Sequence, residues 1–423
     1  MKLITPALQT YPWGSKTMLA QLRGEPAPTA QPQAELWFGA HRTAPSLVGG
    51  TGLDSLISTD PTSALGAAVE SRFGAQLPFL LKILAAEAPL SVQAHPDSAQ
   101  AQAGFDAENA AGIPLSSAKR NYKDPNHKPE LLVALTPFRA LAGLRPVADT
   151  LALIEHLDCA PLNRYAPFLH SDNEEEGLRA LFTTWISLPR AKRLELIDAI
   201  YASAQSPSPE AEAWMVEALG CFVELNERYP GDVGVLASLL LNYIELAPGE
   251  ALFLGAGRLH AYISGMAVEI MASSDNVLRG GLTSKHVDVP ELVRICDFTT
   301  QADPRIATTT STAPYGEATE YPVPIEDFVL TRHRLYPGAG ALQVGDGGAS
   351  SDAGAGPGAG SGAGLGAGPG ILLCTKGAVT CGSGEAIDLK AGSAAWIPAD
   401  DGPFSVRAAG HEVAEVFYAR VAL

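Results

Sequence analysis

The residues best equipped for chemistry in this sequence lie in three short segments. Pro89-Leu-Ser-Val-Gln-Ala-His-Pro-Asp97 sets Gln93 and His95 two positions apart, so on a strand both side chains leave the same face and can grip one ion. Asn126-His-Lys-Pro-Glu130 offers an imidazole, an ammonium and a carboxylate within five residues, and Pro129 biases its predecessor toward extended backbone. Leu259-His-Ala-Tyr262 adds another imidazole after an apolar, strand-like stretch. The spacing predicts a metal site of Gln93, His95, Glu130 and His260, delivered by three strands to one point inside a barrel. Two imidazoles, a carboxylate and an amide oxygen suit zinc, and would also accept manganese, iron or nickel. Structural zinc sites favour cysteine, so a set without thiolate points to a catalytic ion with one position open to water or substrate.

Cations gather near the same segments in a chain that is otherwise acidic. A formal net charge of -17 argues against nucleic acid or an anionic membrane as partner, because both need a basic patch. An acidic protein that binds a phosphate must concentrate cations locally, and Lys82, Lys128, Arg279 and Lys285 all fall in or near the candidate motifs. Lys82 sits inside the run Leu77-Pro-Phe-Leu-Leu-Lys-Ile-Leu84, where a charge is costly unless paired or facing a polar cavity. One metal with several cations suits a phosphorylated polyol, with arginine able to clamp a phosphate and lysine acting as a point charge.

The elements that must position these groups can be outlined from texture. Residues 1–145 mix short apolar runs with frequent Gly, Pro and Ser, the pattern of strands joined by turns, and are expected to be mostly β. From 146 to 245 the period becomes helical: Leu178, Leu181, Phe182 and Trp185, then Leu236, Leu239, Leu240 and Tyr243, recur at i, i+3, i+4, i+7. Ser206-Pro-Ser-Pro-Glu210 reads as a loop followed by a helix start with acidic residues in its first turn, and strand texture resumes at Leu246. An internal echo links Leu246–Ala256 with Leu389–Ala399, which share Leu, Gly, Ala, an aromatic, a branched aliphatic and Ala at equal offsets. Eleven residues after Gly249 comes His260, whereas eleven after Gly392 comes Pro403, so only the first copy carries a ligand histidine there. Residues 345–370 contain twelve glycines and are expected to form a disordered surface loop.

Length and composition set the outer bounds. The 423 residues exceed what one core usually organises, which favours two or three domains. The longest apolar run, Leu77 to Val92, is broken by Lys82 and Glu87, so no membrane span is expected. The start, Met1-Lys-Leu-Ile-Thr-Pro6, lacks the apolar region of a secretory signal, which predicts a cytoplasmic location. Cys159, Cys221, Cys296, Cys374 and Cys381 are scattered, odd in number and without a C-x-x-C, so they are expected to be reduced and without a role. A monomer is the default assembly.

At this point the motifs themselves are informative. Gln9-Thr-Tyr-Pro-Trp-Gly-Ser15, Glu35-Leu-Trp-Phe-Gly-Ala-His41, the Gln93/His95 segment, Tyr122-Lys-Asp-Pro-Asn-His-Lys-Pro-Glu130 and Val268-Glu-Ile-Met-Ala-Ser-Ser-Asp-Asn-Val-Leu-Arg279 resemble type I mannose-6-phosphate isomerases, zinc enzymes of the cupin superfamily. The resemblance spans residues 8 to about 300, with departures at Thr10, Pro12 and Leu259. It implies a mainly β fold of two cupin (jelly-roll) barrels with an α-helical insertion domain. The catalytic barrel would comprise 1–145 plus 246–320, the insertion 146–245, and a barrel without metal 321–423. It implies one zinc per chain on Gln93, His95, Glu130 and His260, and active-site roles for Lys128, Arg279 and Glu269.

The implied reaction interconverts D-mannose 6-phosphate and D-fructose 6-phosphate by moving a proton between C1 and C2 through a zinc-stabilised cis-enediol, which needs a base, a stabiliser and a phosphate anchor. Phosphate is assigned to Arg279 and Lys128 with Lys285 helping, and Ser91 and Tyr262 are further substrate contacts, Tyr262 alternatively packing beside the metal. Glu269, Lys82, His127 and Asp275 are all able to carry the proton and the sequence does not rank them. A cupin oxygenase would need no phosphate set, and a sugar-phosphate sensor would bind without turnover.

Overall fold

In the computed structural model, the described residues are 1–206, 208–345, 368–382, 384 and 386–423. The glycine-rich stretch expected as a loop therefore lies, over 346–367, outside the described residues. The protein is mainly β, with antiparallel ladders gathered into several sheets. It condenses into two compact units: Met1–Ala85 with Val268–Ser273 and Ile306–Leu423, and Ala86–Ala267 with Ser274–Arg305.

The first unit is built on a nine-stranded sheet. The opening strand Lys2–Thr5 is hydrogen-bonded between Ala394–Ile397 and Leu47–Val48, with Ile4 opposite both Ala394 and Val48. Leu335, Leu372, Val379, Leu389, Val406 and Val416 form part of its apolar core.

The second unit carries the three candidate segments and the helices between 147 and 238 on one shared core. Val92, Ala94, Leu141 and Leu259 from the strands pack in the same cluster as Leu181, Trp185, Ile197 and Phe222 from the helices. Leu178, Leu181, Phe182 and Trp185 all lie buried on the helix Glu174–Ile186, as their spacing requires. Asn173 caps that helix by accepting from the Glu176 N–H, and three glutamates in its first turn complement the positive end of the helix dipole.

The second periodic run behaves differently. Its helix is only Val233–Ser238, and Tyr243 belongs to the strand Leu241–Leu246, which starts well before the expected resumption at Leu246. From Leu239 to Leu241 every residue is fully or nearly fully buried, and periodicity cannot tell helix from strand in a segment without a polar face. Arg145 fixes the change of structure: its backbone N–H donates to the Leu240 carbonyl at 2.8 Å, and its guanidinium donates to the carbonyls of Leu239 at 3.0 Å and Leu241 at 2.7 Å. Residues 208–210 of the expected loop lead toward a helix, Pro207 lying outside the described residues, but Ala213–Arg228 has no acidic residue in its first turn. Glu212 occupies the cap position instead. Residues 1–145 also hold helices among their strands, including Ser98–Ala110, whose capping box joins Asp97 and Gln100.

The internal echo has a structural counterpart. Strand Phe138–Leu144 pairs with Leu241–Leu246, and strand Glu130–Ala134 pairs outside them with Ala251–Leu254. The later segment repeats this nesting, with Ala378–Gly382 paired to Ile387–Lys390 and Gly370–Lys376 paired to Ala394–Ile397. Gly249 and Gly392 occupy the same place in the two turns, at φ 95 and 82, a left-handed conformation that favours glycine. Leu254 faces Glu130, and Ile397, at the same offset in the echo, faces Gly370. The helices between 147 and 238 thus emerge from the tip of the inner strand pair in the first copy.

Candidate functional site

Three of the four metal-ligand candidates sit where a strand starts or has just ended, and Gln93 is the middle residue of the strand Val92–Ala94. Glu130 and His260 are the first residues of Glu130–Ala134 and His260–Ala272. His95 follows the strand Val92–Ala94 directly. Gln93 lies opposite His260 on one side and opposite Arg279 of Leu278–Gly281 on the other, and directly opposed residues in an antiparallel ladder present their side chains to one face. Pro96 and Pro129 flank the site segments, and proline disfavours helical backbone just before it.

The three ionisable candidates converge. One ligand atom from each of His95, Glu130 and His260 lies within 4.8 Å of the others, and all three residues are buried. His95 Nε2 is 3.5 Å from Glu130 Oε1, and His260 Nε2 is 3.4 Å from Glu130 Oε2. Both separations are short enough for each imidazole and a carboxylate oxygen of Glu130 to reach one ion at ordinary zinc bond lengths. His95 Nε2, His260 Nε2 and Glu130 Oε2 are buried and have no hydrogen-bond partner, an arrangement that costs free energy unless a cation satisfies it.

The rest of each ring is fixed from behind. His95 Nδ1 donates to the Asn276 backbone carbonyl at 2.8 Å, and His260 Nδ1 to the Arg258 carbonyl at 3.0 Å. Donation from Nδ1 turns the Nε2 edge of each ring toward Glu130, the edge a metal would bind. Burial, followed by the nearby Lys128 charge, pushes the His95 pKa down to about 4. For Glu130, burial pulls upward, but the Lys128 ammonium and the His95 ring outweigh it and hold the carboxyl well below its usual range. Lys128 Nζ lies 3.1 Å from Glu130 Oε1.

The remaining candidates fall into two groups. Arg279 and Lys285 belong to the second unit and make no salt bridge among the described residues. Burial lowers the pKa of both, and for Lys285 the charges of Arg279 and Lys123 act in the same direction, so three cations share one neighbourhood. Tyr262 is buried with its ring 5.8 Å from that of His260 and edge-on to Phe138. Ser91, His127 and Asp275 are half-buried, and the Asp275 N–H donates to Asp124 Oδ2. Lys82 and Glu269 belong to the first unit, where they form a buried ion pair at 2.8 Å with Glu35 3.9 Å from the ammonium. The charge inside the apolar run is therefore paired, and the Trp37 ring centre lies 5.5 Å from it. Sequence reasoning gave no role to Asn276, Asp124 or Lys123. Their contacts join segments some 150 positions apart, a relation no local pattern carries.

Residues 1–147 match the family described as phosphomannose isomerase type I, catalytic domain. The mannose-6-phosphate isomerase of Salmonella typhimurium is 40% identical, covering 97% of this chain and 98% of that protein. The chain belongs to the mannose-6-phosphate isomerase family. A Homo sapiens mannose-6-phosphate isomerase is 34% identical over 79% of this chain and 81% of its own length. A solved, zinc-bound mannose 6-phosphate isomerase is similar at a TM-score of 0.83 and 35% identity, covering 100% of this chain and 99% of that one. The family resemblance carried by the motifs is thereby established, and the curated mannose-6-phosphate isomerases are aldose-ketose isomerases. No helix among the described residues is long and apolar enough to cross a membrane.

Proposed function

We propose that this chain interconverts D-mannose 6-phosphate and D-fructose 6-phosphate with one zinc ion held by Gln93, His95, Glu130 and His260. The observation that carries the reading is the set of buried, partnerless ligand atoms on His95, Glu130 and His260, set in a chain of this family. Bound there, zinc would supply a Lewis acid able to favour negative charge on the sugar oxygens at C1 and C2.

The protein groups divide the remaining work. Arg279 and Lys285 anchor the phosphate, and Lys128 keeps the positive potential continuous toward Glu130. A phosphate held away from C1 and C2 lets binding energy orient the reacting carbons. Ser91 and Tyr262 line the sugar, with Tyr262 packed beside His260. Isomerisation through a cis-enediol moves one proton between the two carbons, and Lys82, Glu269, His127 and Asp275 have the chemistry to carry it.

In this reading 1–145 plus 246–320 form a metal-bearing cupin barrel, 146–245 a helical insertion and 321–423 a second barrel without metal. The nested strand pairs repeated at Glu130 and Gly370 support two related barrels. Five free, buried cysteines fit a reducing cytoplasm, and the chain acts as a monomer.

Turnover of mannose 6-phosphate, followed before and after chelation and again with zinc restored, tests the proposal together with His260→Ala. Activity that disappears on chelation, returns with zinc and is absent in the variant is expected. A zinc-loaded protein that binds the sugar phosphate without converting it would overturn the reading.

A further inference from the structure

Asn276 stands where the metal ligands meet the cation-bearing loop, and it is fully buried. Its backbone carbonyl receives the His95 Nδ1 hydrogen bond at 2.8 Å. Its side-chain oxygen accepts from the backbone N–H of Lys123 at 2.7 Å and of Asp124 at 3.3 Å. Its amide nitrogen donates to the backbone carbonyls of Asp124 at 2.8 Å and Asn126 at 2.9 Å, with Asp124 Oδ1 a longer third partner at 3.3 Å. Two N–H groups on one side and carbonyls on the other admit only one orientation of the amide. Aspartate or leucine could not make both sets.

Neighbouring contacts close the clip. Ser274 Oγ donates to Asp124 Oδ1 at 2.7 Å and to the Asn126 carbonyl at 3.1 Å, and the Asp275 N–H donates to Asp124 Oδ2 at 2.8 Å. The strap 123–126 runs directly into His127, Lys128 and the ligand Glu130, while three residues beyond Asn276 is Arg279, opposite Gln93. One residue thus sits on the path between the carboxylate ligand, an imidazole ligand and the phosphate-anchoring arginine.

We infer that Asn276 is a positioning residue: its amide pins the Lys123–Asn126 strap and, through its own backbone carbonyl, the ring of His95, so that metal affinity and grip on the sugar phosphate depend together on this side chain. The inference rests on the zinc reading above. Asn276→Ala removes the acceptor used by the Lys123 and Asp124 N–H groups and the amide donor to the Asp124 and Asn126 carbonyls. Asn276→Asp keeps the acceptor, loses both donors and sets a second carboxylate against Asp124.

The test uses the full chain and both variants. Zinc affinity is measured by competition with a chromophoric chelator, folding of the metal-free chain by circular dichroism and denaturant unfolding, and kcat and KM for mannose 6-phosphate on zinc-loaded protein. Loss of an outer contact to a metal ligand typically weakens binding about tenfold to a hundredfold. That loss is expected for Asn276→Ala, with a raised KM and a metal-free chain that still unfolds cooperatively. Should Asn276→Ala fail to fold, Asn276→Asp decides by the same readouts. Folded variants that hold zinc within twofold of the parent chain and keep its KM would overturn the inference and leave a purely structural amide. A parent chain that does not bind zinc would instead sink the metal reading and the inference with it.

Discussion

The strand pairs nested around Glu130 and those nested around Gly370 share their ladders, their turn glycines and their offsets, yet differ at two of the positions a metal would need. Glu130 corresponds to Gly370, and His260 to Pro403. The reason lies in packing as well as chemistry: a Cβ added at Gly370 would meet Tyr418 Cε2 at 2.8 Å and the Ala419 carbonyl at 2.9 Å, so an aromatic ring fills the space a carboxylate would take. Histidine makes the same point. His333, in the unit that contains the second copy, has both ring nitrogens engaged, Nδ1 with Tyr315 Oη at 2.8 Å and Nε2 with Thr331 Oγ1 at 2.9 Å. His95 and His260 each hold one nitrogen and leave the other bare. Burial alone does not mark a ligand; an unsatisfied lone pair facing others does. The backbone provides equivalent positions, and side-chain choice decides which becomes a site.

Replacing Glu130 with glycine gives the first copy the residue of the second and should have the largest effect. Zinc content measured on the purified protein is expected to fall to background, and turnover by on the order of a thousandfold or more, because two imidazoles lose the carboxylate between them and Lys128 loses its partner. Zinc retained at the parent level would break the comparison.

A pH series on the second region comes next. Burial pushes the His333 pKa down to about 4 from the ordinary 6.5, so the unfolded chain binds a proton that the folded chain refuses. Its contribution to stability is fully present above pH 6.5 and is lost as pH falls from there toward 4, by about 3 kcal/mol at most. Urea unfolding of His333→Gln against the parent chain should show a flatter acid limb in the variant; parallel limbs would mean that His333 does not couple to folding.

The smallest effect is expected from Gly370→Ala, at about 1–3 kcal/mol of stability from overpacking against Tyr418. Zinc content and kcat should stay unchanged. A loss of metal in this variant would show that the two copies are not independent.

Much of this contrast can be read from the sequence because it resides in short segments. The candidate ligands fall within compact motifs, the helix Glu174–Ile186 has one apolar and one charged face, and the echo preserves its spacing through Gly249 and Gly392. What stays hidden has physical causes. Leu239–Leu241 is apolar all round, so its change from helix to strand leaves no period. The helix Ser98–Ala110 buries mainly Ala101 and Gly104 and so shows no stripe, although Asp97 and Gln100 mark its start. The partners of Lys82 and the contacts of Asn276 come from distant segments, and a buried charge or amide announces only that it needs a partner.

The Arg145 neck has a further consequence, for the order of folding. Phe138–Leu144 and Leu241–Leu246 must pair across nearly a hundred intervening residues, a contact of high sequence separation that slows folding when the intervening chain is still coil. Three carbonyls converging on one arginine close that interval at its base. Once the helices of 147–238 have condensed, the two strand ends are neighbours, and pairing them resembles closing a short hairpin. Since closure entropy grows only with the logarithm of loop length, about 0.6 kcal/mol per doubling, a helical segment grown at this tip could lengthen or shorten at little thermodynamic cost to the strands that hold Glu130 and His260.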